Sequence, residues 1–140
     1  MRRYADLAED LAEREPDPGR RNELHAIAAA CRHVPEFPAR TFCEALQAAH
    51  FVTVCLCAGQ RMLLFQLGRP DRYLLPFYRR DLAAGRITPD EALEWIDCLA
   101  IMLSEYTPRG LAVGWMVGGR DASGADVCNE LTALCLRSIG

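Results

Sequence analysis

Residues 41 to 59, TFCEALQAAHFVTVCLCAG, form the stretch that most limits what this chain can be. Thr41 with Glu44 is a helix-start signature, in which each side chain bonds the other's backbone. The helix that follows is apolar nearly all the way round, and only Glu44, Gln47, His50 and Thr53 interrupt it. Such a helix needs neighbours on every side. It does not fit a membrane span, because its polar residues sit mid-run and the apolar stretch is short. In a chain of 140 residues it uses up much of the available core. The pattern points to a native context larger than these residues.

Composition supports a packed core rather than disorder, with 51% apolar and 25% charged residues. The net charge of −3 argues against a nucleic-acid surface, which needs a basic excess. All the formal positive charge is arginine, a compositional bias that accompanies the abundant alanine. The seven cysteines are odd in number, and most lie in apolar helical runs, where a free thiol behaves as a small hydrophobe. No C-x2-C pair is present, and Cys55 and Cys57 point to different helix faces, so no metal site is expected. The start, MRRYADLAEDLAERE, lacks the apolar core of a secretory leader. Reduced thiols in a cytoplasmic protein, with no membrane partner, are the expectation.

Punctuation along the chain predicts a mostly helical protein with one or two strands. A charged helix spans 2 to 14. Asp17 and Pro18 open a second, which runs to about Arg32. After the apolar helix, MLLFQL at 62 to 67 reads as a short strand or extended passage ended by Gly68. Asp71 opens a helix through Ala84, kinked at Pro76 and capped by Gly85. Thr88, Pro89 and Glu91 start another, with Ala92, Trp95, Ile96, Leu99 and Met102 on its inner face. Pro108 and Gly110 reset the chain, and LAVGWMVGG at 111 to 119 reads as a buried strand. The turn RDASG leads into a last helix from about Ala125, with Val127, Leu131, Leu134 and Cys135 inward. One strand cannot make a sheet, so it needs partners from elsewhere.

The stretch Gly68-Arg69-Pro70-Asp71-Arg72-Tyr73-Leu74-Leu75-Pro76-Phe77-Tyr78 resembles the G-R-x-D-x-Y-L-x-P-Y/F-Y signature of glycyl radical enzymes. That family includes pyruvate formate-lyase, glycerol dehydratase and choline trimethylamine-lyase. Gly118, Gly119, Gly124, Asp126, Asn129, Glu130 and Leu131 resemble its G-G-x(4)-G-x-D-x-x-N-E-L segment. Arg40-Thr41-Phe42 with Glu44-Ala45-Leu46-Gln47 resembles its R-T-F-x-E-A-L-Q block. The blocks are in order and cover nearly the whole chain. The resemblance implies a partial pyruvate formate-lyase-like domain over 1–140, a helical part at about 2–58 and a barrel-related part at about 62–140. It implies a slice from the N-terminal half of a large α/β barrel.

The resemblance also implies the chemistry. The full-length family carries a glycyl radical near its C-terminus, installed by a radical S-adenosylmethionine activase. The radical passes to a cysteine in a G-C-x-E loop, whose thiyl abstracts a substrate hydrogen in a water-excluded barrel. Neither element is in this sequence, so no catalytic residue and no bound cofactor are assigned to it, and alone it is expected to be inactive. Cys128-Asn129-Glu130 lacks the preceding glycine and reads as a buried helical thiol. Arg137 to Gly140 lacks the aromatic that follows the radical glycine. Many dehydratase-type relatives carry N-G-H-S before G-R-x-D, where this chain has Arg61-Met62-Leu63-Leu64. A polyol-like substrate loses its polar partners there. Arg61 and Gln66 remain as polar candidates for substrate contact. Arg69 and Asp71 are further candidates, with a structural ion pair as the alternative. Gly68, Tyr73, Pro76, Tyr78, Gly118, Gly119, Asn129 and Glu130 are motif residues with structural roles. His25 and His33 read as surface histidines, and His50 as a hydrogen-bonded core histidine.

The implied partners are the remainder of the barrel or a complementary chain, the activase, and a second copy in a homodimer. An alternative reading is a non-catalytic helical interaction module derived from the same fold. A stable monomer with a sharp melting transition favours that module.

Overall fold

The computed structural model describes residues 1–60, 66–105 and 114–139, with 58–60 described in backbone only. The described residues form seven helices: α1 (Arg2–Arg14), α2 (Pro18–His33), α3 (Phe42–Gln60), α4 (Pro70–Tyr73), α5 (Leu75–Ala83), α6 (Pro89–Glu105) and α7 (Glu130–Arg137). Among them there is no extended strand, only a parallel bridge between Gln66 and Gly114 and an antiparallel one between Arg120 and Asp126.

Helices α1 and α2 pair as a hairpin. Alanines let them approach closely: Ala5, Ala12 and Ala28 are fully buried, with Ala8 and Cys31 nearly so. Asp17 caps α2 by accepting from the Arg20 amide at 2.7 Å, and Pro18 fills its first turn, where a missing N–H costs nothing. Exposed pairs run antiparallel along the hairpin, His25 with Glu9, Arg32 with Asp6 and Arg2 with Glu36.

The main core lies between α3, α5, α6 and α7, around Phe42, Leu74, Tyr78, Ile96, Leu103 and Leu131. Helix α3 sinks Phe42, Leu46, Phe51 and Thr53 but leaves Val52 55% exposed and Cys55 exposed. These residues alone do not surround it. On α6 the buried stripe is Ala92, Ile96, Leu99 and Leu103. That stripe keeps helical spacing to its end, so Met102, expected inside, falls off it and stays 41% exposed.

Three further expectations are corrected. The helix over 71 to 84 is not kinked at Pro76 but divided at Leu74, with α4 before it and α5 after. Pro76 then lies in the first turn of α5, where its missing N–H breaks no bond. The last helix begins at Glu130 rather than near Ala125, because a hairpin turn occupies 120–126 and Asn129 supplies the cap. The predicted buried strand is represented in 114–119 by the single bridge at Gly114, and Met116 is 53% exposed. Residues 111 to 113, like 62 to 65 of the other predicted strand and Pro108, Gly110 and Gly140, lie outside the described residues.

Candidate functional site

Two chain segments lie side by side in parallel. Gln66 bridges Gly114, the Met116 amide donates to the Gly68 carbonyl at 3.0 Å, and the Gly118 amide donates to Asp71 Oδ2 at 2.6 Å. The third contact continues the ladder after α4 has turned the backbone away, with a carboxylate in place of a carbonyl. Gly68 and Gly118 both have positive φ, 69° and 64°, which a side-chain-bearing residue adopts only under strain. A Cβ at Gly118 would also lie 2.8 Å from Cys128 Sγ.

Asp71 is fully buried. Its Oδ2 also accepts from Thr132 Oγ1 at 2.8 Å, and its carbonyl accepts from Asn129 Nδ2 at 3.0 Å. Asn129 caps α7 by accepting from the Leu131 and Thr132 amides, while Thr132 Oγ1 accepts from the Asn129 amide. The three blocks G-R-x-D, G-G and N-E-L, far apart in sequence, thus meet in one buried hydrogen-bonded knot. Next to it, Arg79 grips Glu130 with Nε at 2.6 Å and Nη2 at 3.0 Å, tying α5 to α7 and holding the Glu130 carboxyl below its usual range.

A second buried carboxylate does the same for the R-T-F block. Asp81 Oδ2 accepts from the Phe42 amide at 2.7 Å, at the start of α3, and its Oδ1 accepts from Arg86 Nη2 at 2.6 Å. Thr41 Oγ1 accepts from the Glu44 amide at 3.1 Å. The Glu44 carboxylate reaches back one residue further than a reciprocal box requires, to the Arg40 amide at 2.6 Å. Burial raises the Glu44 pKa, but the hydrogen bonds from Arg40 outweigh it and hold the carboxyl below its usual range.

The residues expected at the substrate are distributed as follows. Arg61 lies outside the described residues. Gln66 is exposed, and its amide lies across Gly114, where a Cβ would be 3.4 Å from Nε2. Arg69 and Asp71 make no ion pair with each other among the described residues. Arg69 Nε and Nη2 and Asp71 Oδ1 are shut from solvent without a hydrogen-bond partner among them. Of the motif residues, Tyr78 is 3% exposed with its ring 5.7 Å from Phe42, whereas Tyr73 is 41% exposed beside a groove. That groove, about 440 Å³, runs between α3 and α5 and is lined by Val52, Leu56, Leu67, Tyr73 and Phe77, with Gln66 at its polar edge.

The cysteines need correction. Cys128 is not a buried helical thiol; it is exposed, in the extended approach to α7, its amide held by Asp126 Oδ1 at 2.9 Å. Its hydrogen bond with Asp126 raises its pKa, the opposite of an activated thiol. Cys43, Cys55 and Cys98 are exposed as well. Cys135 is buried, and burial, helped by the charge of Asp71, pushes it up to about 12. Among the described residues no three of His, Cys, Asp and Glu come together as a metal site, and no helix is long and apolar enough to cross a membrane. His25 is exposed beside Glu9, and His33 is half-buried against the Pro38 carbonyl. His50 is half-buried in an apolar cleft, and burial lowers its pKa.

Known proteins resemble the chain over nearly its whole length. Residues 1–140 match the family described as pyruvate formate lyase-like. The chain is 42% identical to the isethionate sulfite-lyase of Nitratidesulfovibrio vulgaris, over 98% of this chain and 18% of that protein. It is 31% identical to the (2S)-3-sulfopropanediol dehydratase of Klebsiella oxytoca, over 96% of this chain and 18% of that protein. A solved glycyl radical enzyme from Archaeoglobus fulgidus superposes with a TM-score of 0.90 at 37% identity, over 98% of this chain and 19% of that one. The chain spans under a fifth of the length of these relatives.

Proposed function

Because the chain belongs to the pyruvate formate lyase-like family and is part of a glycyl radical enzyme with that family's barrel fold, we propose that it forms one wall of a radical lyase releasing sulfite from isethionate or a similar small sulfonate. The observation that carries this is the 42% identity to an isethionate sulfite-lyase over nearly the whole chain. Three more isethionate sulfite-lyases match at 35 to 39%. The sulfopropanediol dehydratase also takes its name from a sulfonate.

The local sequence supports the same direction. Where dehydratase-type relatives carry N-G-H-S, this chain has Arg61 followed by three apolar residues. A guanidinium binds an oxyanion such as a sulfonate through a fork of donors. Arg61 and Gln66 are assigned to substrate contact. A separate radical S-adenosylmethionine activase installs the radical on the rest of the full-length protein, where it supplies hydrogen-atom abstraction. This chain's residues bind and orient the substrate and keep water out. The complete protein is a cytoplasmic homodimer working without oxygen. This piece alone is inactive, because it has neither G-C-x-E nor a radical glycine loop.

The test uses the full-length protein, activated anaerobically, with its radical counted by electron paramagnetic resonance. Sulfite release from isethionate, with glycerol and choline inert, is expected. A fully loaded enzyme that turns over glycerol or choline and leaves isethionate intact contradicts the proposal. A full-length protein that loads no radical, beside a monomeric and cooperatively melting piece, turns the account toward the interaction module.

A further inference from the structure

We propose that Asp71 is a positioning residue: its carboxylate sets the register between segment 66–71 and segment 114–118, and through that register places the Gln66 amide toward substrate. The inference rests on the assignment of Gln66 to substrate contact above. Gln66 belongs to no helix, and its one secondary-structure link among the described residues is the parallel bridge to Gly114. A lone bridge holds a side chain poorly, and the core-facing side of the pair, Leu67, Trp115 and Val117, is only partly buried, so by itself it specifies register weakly. Two further contacts lock the pair. Met116 donates to the Gly68 carbonyl at 3.0 Å, and Gly118 donates to Asp71 Oδ2 at 2.6 Å.

Of these three, only the Asp71 contact is fully buried, and only it is anchored from a third side. The same oxygen accepts from Thr132 Oγ1 at 2.8 Å, and Thr132 is fixed in the Asn129 cap of α7. The register of the half-buried pair is therefore dictated by its fully buried end. Glycines make the device possible. Gly118 at φ 64° turns its amide toward Asp71, and Gly114 leaves room for the Gln66 amide to lie across it. Asp71 itself is fully buried on α4, with one carboxylate oxygen engaged by Gly118 and by Thr132 of α7.

The experiment compares Asp71→Asn, Gln66→Ala and the double variant in the activated full-length enzyme, with rates expressed per radical. Asparagine keeps the shape and one acceptor oxygen but removes the charge. Asp71→Asn should raise KM for isethionate by about ten- to a hundredfold, with kcat nearly unchanged, as a loosened binding group does. Gln66→Ala should do the same, and the double variant should be no worse than Gln66→Ala alone. Hydrogen exchange at the Met116 and Gly118 amides should speed up in Asp71→Asn and not in Gln66→Ala. Asp71→Asn that loses thermal stability or yield while KM per radical stays put overturns the proposal, as do additive KM effects. If Gln66→Ala leaves KM unchanged but Asp71→Asn raises it and speeds exchange, register control stands and the Gln66 assignment fails. If isethionate is not turned over at all, the exchange pattern decides: faster exchange supports register control and unchanged exchange overturns it.

Discussion

The α1–α2 hairpin and the knot around Asp71 are held together by opposite means. The hairpin uses sequence-local devices, with alanines meeting across a close interface, one aspartate cap and ion pairs in solvent. Its parts are neighbours in sequence, and no single contact in it is indispensable. The knot uses few residues, Asp71, Gly118 and Thr132 buried and Asn129 half-buried, bonded to partners 47 to 61 positions away. Removing one of them leaves buried donors without acceptors. The hairpin should therefore respond gradually to substitution, and the knot abruptly.

The largest effect should come from Asp71→Ala. It orphans the Gly118 amide and the Thr132 hydroxyl together, which costs on the order of 3 kcal/mol or more. Asp81→Ala should come close, because it frees the Phe42 amide and leaves Arg86 unpaired. Thermal or urea unfolding of the full-length protein checks both, and a change under about 1 kcal/mol in either breaks the comparison.

Next comes Gly118→Ala. Its Cβ meets Cys128 Sγ at 2.8 Å, and φ is +64°. The backbone term alone is about 1 kcal/mol. Cys128→Ala in the same protein should recover the part due to the clash and leave the backbone part. Gly124→Ala, at φ +85° with nothing within 4 Å of its Cβ, should show the backbone part only. Equal losses at both glycines contradict the close packing of Cys128.

In the hairpin, Ala12→Leu should cost about 1–3 kcal/mol through overpacking, since Ala12 is fully buried. Arg32→Ala should change stability by under about 1 kcal/mol, because its pairs with Asp6 and Glu9 are solvated. Acid should act on the caps and not on the alanine interface. Glu44 and Glu130 have folded-state pKa values below their ordinary 4.5. Their contribution is present above that pH and is lost as pH falls below it, through the lowered values. Hydrogen exchange in α3 and α7 should rise in that window while α1 and α2 hold, and loss of α1 and α2 first contradicts the assignment.

The same contrast separates what was legible in the sequence from what was not. The two helices of the hairpin could be read directly, because Asp17 and Pro18 act within a few residues of themselves, whereas their close pairing through alanines was not read from the sequence. The Thr88–Glu91 box and the Gly85 cap were legible for the same reason. The knot was legible only as a set of family blocks. Nothing local in Asp71 says that its oxygen will meet Gly118 and Thr132, since that depends on how distant segments pack. Pro76 misled because its effect turns on whether a helix starts just before it, and Leu74 decides that. Cys128 misled because Asn129, rather than an earlier residue, caps α7. The extent of α3 that stays open, around Val52, was foreshadowed by its all-round apolar sequence.

The most direct test of the account is electron paramagnetic resonance of two samples treated alike with a glycyl radical activase: the full-length protein and the piece comprising residues 1–140. The account predicts a glycyl radical doublet from the full-length protein and none from the piece, whose sequence has no radical glycine loop. A doublet from the piece alone, or none from the full-length protein under conditions that activate an isethionate sulfite-lyase, contradicts it.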